Sequence, residues 1–145
     1  MFRPWVTDMS RTAIMVCLIA FGAAGAASCR DQAACDRSRL ELAKKWDELK
    51  NTAGAYKTTK EDEEIPTAKK EERLKVWGAV EDKAGLVQSS FATTQVTWPA
   101  ADQARQDINQ KLQAVAATGD QRVESYSQLV RAAGAQYDQY KDKCR

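Results

Sequence analysis

The chain has 145 residues, with 22 Lys and Arg against 20 Asp and Glu, no histidine, four cysteines, seven glycines and three prolines, a size that suits a single domain. The lack of histidine removes imidazole bases, Ser or Cys triads and every His-containing metal site, so the sequence reads as non-enzymatic, with no catalytic residues, metal or cofactor expected. A net charge of +2 with both signs interleaved lacks the one-sided basic footprint of a nucleic-acid binder, and no nucleic acid is expected as a partner.

The first 28 residues differ from the rest. Arg11 is followed by an uncharged run from Thr12 to Ser28, in which Ile14, Met15, Val16, Leu18, Ile19 and Phe21 precede the small residues Gly22 to Ser28. The apolar part is about half the roughly 20 residues a membrane-spanning helix needs, and it fades into Gly and Ala, so residues 1–28 read as a cleaved signal peptide. Met9-Ser10-Arg11 offers a tidier start than Met1, and the reading holds from either.

Ala26-Ala27-Ser28-Cys29 resembles the lipobox of bacterial lipoproteins, with Ala26 standing where that family usually carries Leu. The resemblance implies that the Cys29 thiol is acylated, that cleavage falls just before it, and that two or three acyl chains then anchor the protein stably to a membrane. Arg30 follows the cysteine where an Asp would signal inner-membrane retention in some of these proteins, so the resemblance implies the outer membrane. Ordinary signal-peptidase cleavage after Ala24-Gly25-Ala26 is the alternative, giving a soluble periplasmic or secreted protein.

Export puts the remaining cysteines, Cys29, Cys35 and Cys144, in an oxidising compartment, and three is odd. Acylation of Cys29 would leave Cys35 to pair with Cys144. A local Cys29 to Cys35 bridge, or two unrelated thiols, are the alternatives. There is no C-x-x-C of a thiol oxidoreductase.

Residues 29–145 read as one helical domain. Residues 30 to 53 contain no Pro and no Gly but Leu42, Trp46, Leu49, Ala53 and Tyr56 recur at steps of four and three, with Cys35 seven residues before Leu42, which predicts a helix over about 31 to 57. Lys57 to Pro66 has no apolar period. It reads as a loop, with the acidic run Glu61 to Glu64 as solvated turn rather than a cation site.

Pro66 and Thr67 start a second helix with a partial capping signature. Its seam of Trp77, Val80, Ala84, Val87, Phe91, Thr94 and Trp98 predicts 67 to 97, ended by Pro99. Gly78 and Gly85 inside it suggest the close approach of a neighbouring backbone. The basic residues from Lys69 to Lys75 are interleaved with Glu71 and Glu72 and read as a solvated face.

A third helix, about 100 to 118, places Ala101, Ala104, Ile108, Leu112 and Val115 on one face and Asp102 in its first turn. At Thr118-Gly119-Asp120 the register slips. Gly119 reads as a helix stop and Asp120 as the N-cap of a fourth helix, about 120 to 143, with Val123, Tyr126, Val130, Ala133, Tyr137, Tyr140 and Cys144 on its seam.

Three long helices would put Cys35 and Cys144 at opposite ends, whereas an up-down-up-down bundle of four brings them together, so an all-α antiparallel four-helix bundle is favoured and three long helices are the alternative. The core is thin, since Leu, Ile, Val and Phe number only 17 of the 117 residues from Cys29 onward. Trp46, Trp77, Trp98, Tyr126, Tyr137 and Tyr140 are the large anchors, read as core or, alternatively, as the lining of a ligand site. Trp46, Trp77, Phe91 and Tyr126 are expected to be buried. The functional expectation is an envelope lipoprotein tethered at Cys29, whose bundle is a structural or protein-interaction module with an envelope protein partner. The alternative is a soluble small-ligand binder using an aromatic-lined interior, and a Trp- and Tyr-lined cavity, as against a closed core, would separate the two.

Overall fold

The structure is a computed structural model that describes residues 31–57 and 62–145. The signal segment and Cys29 lie outside the described residues. Four helices follow in chain order: α1 (Gln32–Tyr56), α2 (Thr67–Ala92), α3 (Trp98–Ala116) and α4 (Arg122–Cys144). Each packs on its sequence neighbour, and α4 closes back on α1.

Pairs across the interfaces fix the direction. Cys35 at the start of α1 meets Cys144 at the end of α4, and Tyr126 near the start of α4 donates to the Leu49 carbonyl. Arg73 reaches Thr118 while Lys83 reaches Asp107, and Arg105 pairs with Asp138 while Asp102 pairs with Lys141. Arg39 reaches Phe91 while Lys57 pairs with Glu81, so every adjacent pair is antiparallel, as the expected four-helix bundle requires.

The apolar seams become the core. Leu42, Trp46, Leu49 and Ala53 of α1, Trp77, Val80, Ala84, Val87 and Phe91 of α2, Ala101, Ala104, Ile108, Leu112 and Val115 of α3, and Tyr126, Val130, Ala133, Tyr137 and Tyr140 of α4 are all buried. Small Ala side chains at facing positions let a core poor in Leu and Ile reach contact, with the aromatic rings filling the wider layers.

Helix ends show where local chemistry departs from the sequence expectations. Asp31 caps α1 by accepting from the Ala34 N–H at 3.1 Å. Thr67 is the first helical residue of α2 and makes no cap hydrogen bond, so the capping signature is not realised there. Helix α2 stops at Ala92, short of the expected Thr97, because Thr93 turns extended at φ −97° and ψ 160°. The β-branched residues Thr93, Thr94, Val96 and Thr97 are poor helix formers, and the buried Arg39 guanidinium donates to the Phe91 and Thr93 carbonyls at 2.7 and 2.9 Å, satisfying groups that a helix end leaves open.

Trp98 consequently opens α3 instead of ending the α2 seam, with Pro99 in the first turn, where its missing N–H costs nothing. That earlier start leaves Asp102 beyond the first turn of α3. Gly119 adopts φ +79°, the left-handed conformation that ends α3 and reverses the chain, as its place at the register slip predicts. Asp120 lies one residue before the N-cap of α4, yet its Oδ1 still accepts the Arg122 N–H at 3.0 Å. Gly78 and Gly85 face no backbone. A Cβ on either would meet only the Lys57 or Lys50 side chain, at 3.7 and 3.6 Å, so the close-approach expectation is corrected.

Candidate functional site

One end of the bundle carries the cystine. Cys35 and Cys144 are joined, with Cα atoms 5.8 Å apart, and the bridge closes a separation of 109 residues. Beneath it the Phe91 ring packs edge-on against Trp98, Tyr137 and Tyr140, at 6.1, 5.2 and 5.6 Å between centroids, and Trp98 stacks on Tyr140 at 5.8 Å. The Tyr137 hydroxyl donates to Asp102, whose other oxygen accepts from Lys141 at 2.7 Å. Partial burial works to raise the Asp102 pKa, but the bonds from Lys141 and Tyr137 outweigh it and hold the carboxyl below its ordinary value. Burial, reinforced by the Asp102 charge, pushes the Tyr137 phenol up.

The opposite end holds a buried ionic cluster that the apolar seams do not reveal. Arg73 donates to Asp62 at 3.0 Å and to the Thr118 hydroxyl and carbonyl at 3.0 and 3.1 Å. Arg122 grips Asp120 through Nε and Nη2, at 2.9 and 2.7 Å, reaches Asp62 at 3.2 Å and donates to the Tyr56 carbonyl at 3.1 Å. The Trp77 indole N–H completes the set, donating to Asp120 at 2.9 Å. Tyr56, Trp77 and Tyr126 pack edge-to-face around it, with the Arg122 guanidinium over the Tyr56 ring.

Two arginines and two aspartates, each less than 9 % exposed, balance one another here, so the burial of charge is matched by charge-assisted bonds. Desolvation opposes the ionised Asp120, and the hydrogen bonds from Arg122 and Trp77 overcome it, leaving the carboxyl below its ordinary value. The bond from Arg122 to Asp120, with the charges of Asp120 and Asp62, raises the Arg122 pKa against its own desolvation.

This cluster corrects two surface readings at one residue each, while Glu63, Glu64, Lys69, Lys70 and Lys75 are exposed as expected. Asp62 belongs to the acidic run read as solvated turn, and Arg73 to the stretch read as a solvated basic face; both are buried. Their signal was positional. Arg39 fills the seam position between Cys35 and Leu42, while Arg73, four residues before Trp77, and Arg122, four before Tyr126, each extend a seam by one turn toward a helix end.

The aromatic residues are placed as core. Trp46, Trp77, Tyr126 and Tyr137 are fully buried, Tyr140 is buried and Trp98 half-buried, and apart from Trp46 they pack against further rings at the two ends. Space for other molecules lies outside, along α4. A groove of about 150 Å³ between α1 and α4 is lined by Leu49, Thr52, Leu129, Ala132 and Ala133 with the stems of Lys45 and Glu48. A more polar one of about 290 Å³ between α3 and α4 is lined by Arg105, Arg131 and Asp138, among others.

Among the described residues, no helix is long and apolar enough to cross a membrane, and no group of three or more His, Cys, Asp or Glu is placed to hold a metal ion. Compared with known protein families, with characterised proteins and with solved structures, the chain matches none.

Proposed function

We propose that the chain is an exported cell-envelope lipoprotein, held to the outer membrane by acylated Cys29, whose four-helix bundle is a structural or protein-interaction module. The observation that carries this reading is the Cys35 to Cys144 bridge. It uses up two of the three cysteines from residue 29 onward, and leaves Cys29, at the end of a lipobox-like sequence, as the odd sulfur that acylation accounts for.

The interaction role rests on how the bundle distributes its side chains. Rings that could line a ligand cavity pack against one another or, like Trp46, lie fully buried in the core, and the perturbed groups Asp120, Asp102, Tyr126 and Tyr137 are spent on internal bonds or burial. Leu129 is about half exposed beside the α1/α4 groove, the kind of shallow apolar feature a partner helix covers.

Intact-mass analysis of membrane-extracted protein tests the reading. The expected species starts at Cys29, carries a diacylglyceryl thioether and is lighter by two hydrogen atoms for the cystine. An unacylated terminus at any other residue overturns it. Cys29→Ser is expected to leave unprocessed or soluble protein.

A further inference from the structure

We infer that the cystine end of the bundle lies against the headgroup layer of the membrane that holds the Cys29 lipid, with the Thr93–Thr97 link and Trp98 in contact with it, and that the ionic end points away. The inference rests on the lipoprotein reading above and adds an orientation and a contact surface to it.

Only Arg30 and Asp31 separate Cys29 from Gln32, the first residue of α1, and two such residues reach about 10 Å at most between Cys29 and the helix. The start of α1 therefore cannot leave the surface. The cystine ties the last turn of α4 to that point, with Cα atoms 5.8 Å apart. Arg39 ties in the α2–α3 link through the Phe91 and Thr93 carbonyls. All four helices thus have an end held near the lipid, while α1, at 1.5 Å per residue, carries Arg73, Thr118 and Arg122 roughly 35 Å away.

The surface offered there suits a headgroup layer. Trp98 and Val96 are half-buried, Thr93, Thr94, Gln95 and Thr97 are exposed, and a partly packed indole is the side chain that settles at a lipid–water boundary. At this end Lys141 pairs with Asp102 and Arg39 with Asp36, and the Arg145 guanidinium lies over the Trp98 ring. The short tether sets the contact, so neutral lipid suffices for it.

The test places the acylated full-length mature protein in vesicles of neutral phospholipid, with and without bromine on the acyl chains, and reads tryptophan emission alongside flotation. Bromine is expected to quench part of the emission at low and high salt alike, and Trp98→Phe to abolish that part, since Trp46 and Trp77 are fully buried in the core away from this end. Inserting about a dozen Gly and Ser residues between Arg30 and Asp31, a spacer of roughly 20 Å, is expected to keep flotation and relieve the quenching, and reads the contact even if Trp98→Phe fails to fold. Protein that floats unquenched overturns the orientation while the lipoprotein reading stands. Quenching that survives the spacer overturns the tether as its cause, and protein that does not float overturns both.

Discussion

The two ends of the bundle are closed by opposite means. At the cystine end a covalent bond joins the first turn of α1 to the last of α4, and aromatic rings fill the space beneath it. At the other end four charged side chains from the α1–α2 loop, α2, the α3–α4 turn and α4 close on one another without covalent help. A cystine acts mainly by restricting the unfolded chain, whereas a buried ion-pair cluster acts in the folded state and is intolerant of losing one member. The cystine itself should hold under conditions that shift protonation, and the ionic cluster under conditions that reduce thiols.

Removing the cystine is the largest single change this comparison predicts. A bridge across 109 residues contributes about 4 to 5 kcal/mol in the loop-entropy view, against a total of about 5 to 15 kcal/mol for a domain of this kind. Cys35→Ser is expected to lower the denaturant midpoint accordingly with the helical signal intact at low denaturant. It also frees Cys144 for intermolecular dimers, visible on non-reducing gels.

At the other end, Asp120→Ala leaves Arg122 and the Trp77 N–H without their shared acceptor, and is expected to cost about 3 to 5 kcal/mol. Amide exchange should speed first around Thr118 to Val123 and leave the cystine end protected; uniform speeding would show that the two ends do not act separately. The same carboxyl, like Asp102 at the cystine end, contributes to the acid limit. Its folded pKa lies below the ordinary 3.8, so its contribution is fully present above about pH 4 and is lost as pH falls through the folded value. Tyr126, pushed above its ordinary 10.0 by burial, contributes below about pH 10 and loses that contribution as pH rises further. With no histidine to titrate between them, stability measured by denaturant should be flat from about pH 5 to pH 9.

The contrast between the ends also explains what the sequence could reveal. Four helices, their antiparallel order, Gly119 as the break and the cystine follow from apolar spacing, a register slip and a count of thiols, all of them local or arithmetic signals. The ionic cluster depends on pairing Asp62 with Arg73 and Arg122 across three segments, and charged residues in mixed-sign stretches look like any solvated face until the fold brings them together. The end of α2 was hidden for the same reason: Thr93 and the Phe91 carbonyl are satisfied by Arg39, more than 50 residues away. What could have been read was the phase of the arginines, each in step with an apolar seam.

The smallest predicted effect separates the two large indoles. Trp46 and Trp77 are both fully buried, so changing either to Phe removes similar ring volume and opens a similar cavity. Their N–H groups differ. The Trp77 indole donates to Asp120, whereas that of Trp46 makes no hydrogen bond to the protein among the described residues. Trp77→Phe therefore loses a charge-assisted bond in addition to packing, while Trp46→Phe removes a buried donor that was itself a cost of about 1 to 3 kcal/mol. The two variants are expected to differ by at least about that amount in chemical denaturation, with Trp46→Phe near wild type. Equal losses would mean that ring volume alone governs both positions, and that the ionic end gains nothing measurable from its indole. A loss confined to Trp77→Phe would instead make that indole part of the lock which closes the far end of the bundle.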